Sequence, residues 1–179
     1  MRTTDAPGET HVCDADCLIN LHRHFGRKAI LALRDWGRKG APKLPEGAVR
    51  ELIHATDNLA GFARKERQHL EIAARQFRAL HREIPRLERL YGKTIRVGTQ
   101  QHAGFWHSKA GRRAADAQVV AVAKLLRGVA VSDDAAVKLA CALEGVPCIG
   151  WSELARRLGL IKPATPDLPG FNLNTGRGG

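Results

Sequence analysis

Short apolar runs alternate along this chain with longer stretches in which apolar residues recur every three or four positions. His11 to Asp14 reads as a short strand, and a helix through Leu18, Leu21 and His22 follows it directly. A second helix covers about residues 28 to 38, and Gly40 terminates it. Lys43 and Leu44 make a short extended piece. Pro45 suits the first turn of the next helix, which runs to about Ala55. Asp57 can cap a long helix through Phe62, Leu70, Ala74, Phe77 and Leu80, which Pro85 should break or kink. Tyr91 to Gly111 has weak periodicity and reads mostly as loop, with residues 94 to 98 able to pair as a strand. A helix over 113–126, a strand over 128–132, a helix over 134–143, a strand over 146–149 and a helix over 152–158 capped by Ser152 complete the pattern. Apolar strands alternating with helices predict an α/β fold, a three-layer α/β/α sandwich around a central parallel sheet.

Residues 1–10 lack periodicity and are expected to form a flexible arm. Residues 11–160 make up one domain, and the prolines and glycines of 161–179 suggest a disordered tail. A length of 179 residues suffices to bury a core without disulfides. Hydrophobic content of 44% with 26% charge is that of a soluble globular chain, and no apolar run reaches the length of a membrane span. A cytoplasmic location is expected, with Cys13, Cys17, Cys141 and Cys148 as reduced thiols, none of them in a C-x-x-C pair.

Charge changes the picture. The net value is +11, which favours acidic partners. From Phe62 to Arg113 thirteen Lys or Arg stand against four Glu, whereas from Asp116 to Leu160 the two signs balance at five each. One concentrated basic segment, 62–113, points to a polyanion more than to a solvated helix face. Within it, "QQHAGFWHSKAGRR" mixes Trp106 with Lys109, Arg112 and Arg113. Such a composition suits stacking on bases and contacting phosphates, or equally an ordinary loop with its aromatics tucked inward.

Ligands on parallel sheets bind beyond the carboxyl ends of the strands, and here the strand ends are acidic. The first strand ends in Asp14-Ala15-Asp16 and a later one in Ser132-Asp133-Asp134. Asp116 shares a helical stripe with Val119, Val120 and Ala123, and Glu51 has the small residues Gly47, Ala48 and Ala55 beside it. Taken singly, Asp16 or Asp134 is an N-cap and Glu51 a surface residue. Taken together, carboxylates crowded at one sheet edge repel one another unless a divalent cation such as Mg²⁺ or Mn²⁺ lies among them. A basic surface beside such a site suits phosphodiester hydrolysis.

"VCDADCLINL" resembles the opening of PIN domains. "LPEGAVREL" resembles their second segment, and "ADAQVVAVAKLLRGVAVSDDAAVKLACALEGVPCIGW" their third and fourth. The resemblance spans about residues 11 to 154 in the right order. It implies a metal-dependent ribonuclease, akin to the VapC toxins of bacterial toxin–antitoxin pairs, that leaves a 5′-phosphate and a 3′-hydroxyl. By that resemblance Asp14, Asp116 and Asp134 hold Mg²⁺ or Mn²⁺, and Glu51 completes the site or holds a second ion. Ser132 orients a carboxylate or the phosphate. The implied partners are RNA, a small antitoxin protein and a second copy of the chain, with no membrane. Asp16 stands where the family has Ser or Asn and is a further ligand candidate, and the basic segment 62–113 has no counterpart in a compact toxin.

Two other functions fit part of this pattern. A phosphatase of the haloacid dehalogenase type would use Asp14 and Asp16 in its first motif and Asp133 and Asp134 in its last. Between those two motifs it also needs a Thr or Ser strand end and a Lys, and no convincing strand there carries either; it gives no reason for Glu51 or Asp116. A non-catalytic RNA-binding module would need none of the acids. The histidines, His22 and His24 or His102 and His107, form no catalytic dyad and read as surface residues.

Overall fold

The computed structural model describes residues 9–40, 42–54, 57–107 and 115–162. It is a mixed α/β fold, mostly helical, with a small parallel sheet. Three strands, β1 (His11–Cys13), β6 (Val129–Val131) and β7 (Cys148–Ile149), pair in parallel in the order β1-β6-β7. A second parallel pair joins β2 (Leu44–Pro45) to β3 (Glu71–Ile72). Lys43 bridges Val12, with Cys13 N–H donating to Lys43 O at 2.9 Å and Lys43 N–H to His11 O at 2.8 Å. The bridge sets the two pieces side by side, so the strands run β3, β2, β1, β6, β7.

The two faces of this sheet bury different residues, as the two-residue period of a strand requires. Cys13, Leu44 and Val131 pack with Leu18, Leu21, Leu33, Leu52, Leu59 and Leu154. These come from α1 (Ala15–Phe25), α2 (Arg27–Gly37), α3 (Glu46–Ile53), α4 (Asn58–Leu70) and α8 (Trp151–Arg157). Val12 and Ala130 turn the other way, onto Leu80, Leu87, Val119, Val120, Val137 and Cys141. Those belong to α5 (Arg78–Tyr91), α6 (Asp116–Leu126) and α7 (Ala135–Glu144). Among the described residues no helix is long and apolar enough to cross a membrane.

Several elements differ from the sequence expectation. The single long helix after Asp57 is two: α4, capped by Asp57 Oδ1 on Ala60 N–H at 2.8 Å, and α5, with β3 and a short 3-10 turn at Ala74–Gln76 between them. Pro85 lies inside α5 and does not end it. Tertiary contacts override its helix-breaking tendency. Leu80 and Leu87 are buried, and Arg86 reaches Glu83 at 2.7 Å and Glu144 at 2.5 Å. Lys124 from α6 joins the same two glutamates at 2.9 and 2.6 Å, and Tyr91 OH donates to Glu144 at 2.8 Å.

The segment read as mostly loop contains a hairpin, β4 (Thr94–Val97) with β5 (Gln100–Ala103). Its two-residue turn opens on Gly98 at φ +59°, the left-handed conformation that tight hairpins need. Pro45 is the N-cap of α3 and not its first residue, and Gly150, not Ser152, precedes α8, without a side-chain cap. At α1 the cap is Asp14, and Asp16 sits in the first turn. Most of the arm and of the tail, and Ala55, lie outside the described residues.

Candidate active site

Four chain segments bring their acids to the carboxyl edge of β1 and β6. Asp14 follows β1 directly. Its N–H donates to Val131 O at 3.0 Å, which extends the ladder one residue, and its Oδ1 accepts from Cys17 N–H at 2.7 Å as the cap of α1. It is buried at 8% exposure. Asp134 caps α7 in the same manner, its Oδ1 accepting from Ala136 N–H at 2.8 Å and Val137 N–H at 3.0 Å. Ser132, fully buried at the end of β6, links the two. Its Oγ accepts from Asp134 N–H at 3.1 Å, and its hydroxyl donates to the Asp14 carboxylate.

Asp116 opens α6, so its carboxylate lies at a helix N-terminus instead of a full turn inside the helix as the sequence suggested. Val119, Val120 and Ala123 are buried behind it. Glu51, on α3 and itself exposed, accepts from the backbone N–H of Ala115, the residue before Asp116. Gly47 makes this approach feasible. Its N–H donates to the Gln118 side-chain oxygen at 3.0 Å, and a Cβ at Gly47 would lie 2.9 Å from that of Ala115. Gln118 had no signal in the sequence: a glutamine inside an apolar helix reads as a surface position.

The electrostatics join these residues into one group. Burial raises the Asp116 carboxyl, and the charges of Asp134, Asp14, Glu51 and Asp16 raise it further, to about 7. A helix N-terminus normally favours the anion, and here it is outweighed. Asp14 is raised by burial and by Asp16, against the lowering effect of its bonds from Ser132 and Cys17. Glu51 is raised by burial, then by Asp16 and Asp14, with the Ala115 N–H opposing.

The donor set is all carboxylate oxygen, which suits a hard divalent ion. Asp116 Oδ2 is buried without a hydrogen-bond partner, an arrangement that costs free energy unless a cation or a proton satisfies it. Among the described residues no three His, Cys, Asp or Glu side chains stand close enough to hold an ion as they are placed. The acids are in coulombic range of one another, with one oxygen each of Asp14 and Asp134 given to helix capping.

Asp133, beside this group, is used differently. It accepts from Trp151 N–H at 2.9 Å and from Lys138 at 3.1 Å, and so anchors α8 to the end of β6. Trp106 is half-buried against the core of α5 and α6, with its backbone N–H donating to Gly92 O at 2.8 Å, and the neighbouring Phe105 is buried. Lys109, Arg112 and Arg113 lie outside the described residues. Compared with family models, with curated proteins and with solved structures, the chain matches none.

Proposed function

We propose that this chain is a metal-dependent endoribonuclease with a PIN-like three-layer α/β/α fold. The observation that carries the reading is Asp116. It is a carboxyl at a helix start, raised to about 7 by burial and then by four acids from three other segments, with one oxygen buried and unpartnered. Asp14, Glu51, Asp116 and Asp134 would hold Mg²⁺ or Mn²⁺, with Asp16 at the rim. When bound, the ion supplies Lewis acidity toward a phosphoryl oxygen and toward water. Ser132 fixes the Asp14 carboxylate against Asp134, and the Ala115 N–H holds Glu51 toward Asp116. Asp116 can hold a proton near neutral pH. The net charge of +11 favours a polyanionic substrate. The toxin role, the antitoxin partner and self-association rest on the family resemblance alone.

The phosphatase reading is weaker, because Asp133, one of its paired acids, is engaged by α8 and Lys138. The deciding assay is a labelled single-stranded RNA incubated with Mn²⁺ or EDTA. Cleavage is expected only with the metal, and Asp116→Asn should lower the rate at least about 100-fold. Equal cutting in EDTA, or an Asp116→Asn protein as fast as wild type, overturns the assignment.

A further inference from the structure

Three clefts run around α4, and none is lined by an acid of the cluster. The first, about 580 Å³, lies where α4 gives way to β3 and carries Arg64, Lys65, Arg67 and Arg75. Its one acid, Glu71, is already paired with Arg67. The other two, each about 390 Å³, lie between α2 and α4. Arg34 lines both of them, Arg38 lines one, and Lys65 connects the other to the first cleft. The clefts therefore share walls and form one mainly cationic surface, on which Glu66 in the second cleft and Glu71 in the first are the acids. Arg34 adds a second kind of observation: its Nε is buried with no hydrogen-bond partner. A buried guanidinium donor left unsatisfied is costly, and an anion in the cleft would satisfy it.

We propose that this surface is an exosite for the sugar–phosphate backbone of an RNA strand. The choice of RNA as the polyanion rests on the nuclease reading. The surface gives a role to the basic segment that the acidic site leaves unexplained. A nucleic-acid backbone is preferred to an acidic peptide because Ala73 is the only apolar residue lining the first cleft, and the apolar residues of the other two, Ile30, Leu33, Phe62 and Leu70, are core side chains at most 7% exposed. Bound peptides are held by apolar anchors in pockets, whereas a backbone needs only cations along its path. Arginine forks suit phosphate in particular.

The test is fluorescence anisotropy of the full chain with a labelled 20-nucleotide single-stranded RNA, in EDTA and over a salt series. The triple variant Arg38→Gln, Lys65→Gln, Arg75→Gln alters three exposed positions spread over the surface. It should bind more than about tenfold more weakly. Its slope of log affinity against log salt should fall by about 2, since each lost phosphate contact removes about 0.7 for a single strand. Arg34→Lys keeps the charge and removes the fork, so it should lose affinity while keeping the slope. Wild-type affinity and slope in the triple variant overturn the exosite. So does a poly-glutamate peptide that binds more tightly than the RNA and displaces it, because that result makes the clefts a peptide site. Because binding is read in EDTA, the nuclease reading fails separately: weak binding by the triple variant together with no cleavage by wild type in Mn²⁺ leaves the exosite standing alone.

Discussion

At the scale of single residues, Asp116 is held differently from the acids around it. Asp14 and Asp134 each satisfy backbone donors as helix caps, and for Asp14 those bonds offset part of the effect of burial. Asp116 caps nothing, and its helix is preceded by Ala115 with no side-chain cap bond. Its ionisation is opposed by burial and by four neighbouring charges, so its folded-state value of about 7 lies above the ordinary carboxyl value of 3.8. The native protein therefore keeps a proton that the unfolded chain has released. Its contribution is fully present below about pH 4 and is lost as pH rises to about 7 and beyond. Discounted for partial solvent access, the effect is on the order of 2 kcal/mol. In EDTA at pH 8, Asp116→Asn should thus melt about 4–8 °C higher than wild type, and at pH 4 the two should coincide. Thermal melts at both pH values check this. A variant that melts lower at pH 8 would mean that the carboxylate has a favourable partner in the native state.

At the scale of elements, the position of Glu51 depends on how closely α3 approaches α6, and Gly47 sets that approach. Gly47→Ala gains about 0.5–1 kcal/mol of helix propensity. It also forces a Cβ to 2.9 Å from Ala115 and 3.1 Å from Gln118, and overpacking of this kind costs about 1–3 kcal/mol. The net effect should be destabilising by about 1 kcal/mol, with a larger loss of RNA cleavage because Glu51 moves away from Asp116. Gly61→Ala on α4 is the control. Nothing lies within 4 Å of its added methyl, so the same change should stabilise by about 0.5–1 kcal/mol. Urea denaturation of both variants distinguishes the signs, and two shifts of the same sign would refute the packing argument. The elements that carry the acids were legible in the sequence for a simple reason. Val129-Ala130-Val131 is wholly buried and therefore wholly apolar, and Asp116 begins a helix otherwise rich in Val and Ala. Others were not legible. Strand β3 is two residues long and begins with Glu71, and Ile95 is the only buried residue of its hairpin, so neither leaves a two-residue period to read. Pro85 pointed to a break that contacts with α6 and Glu144 prevent, contacts that no local pattern encodes. The approach of α3 to α6 left only Gly47 as a trace, because the partner, Gln118, is chosen by tertiary structure.

At the scale of the whole molecule, the acids come from segments separated by most of the chain, so whatever relieves their repulsion stabilises the fold globally. An ion held by Asp14, Glu51, Asp116 and Asp134 would bind the native state and lose its site on unfolding. At a free concentration of 100 times Kd this contributes about 2.7 kcal/mol. For a chain of this size the corresponding rise in Tm is about 5–10 °C. The wild type should therefore melt higher in millimolar Mn²⁺ than in EDTA, at pH 8 and fixed ionic strength. Fixed ionic strength matters, because salt alone screens the self-repulsion of a +11 molecule. Asp116→Asn supplies the decisive contrast, since it should raise Tm in EDTA and shrink the increment that Mn²⁺ adds. A variant that merely damaged the fold would lower both curves, and one that merely stabilised it would raise both equally. Only a site where the same carboxylate is costly alone and useful to a cation makes the two effects oppose. Four melting curves, wild type and variant each with EDTA and with Mn²⁺, are enough to read it. Identical curves for the wild type in EDTA and in Mn²⁺ would remove the metal from the proposed mechanism.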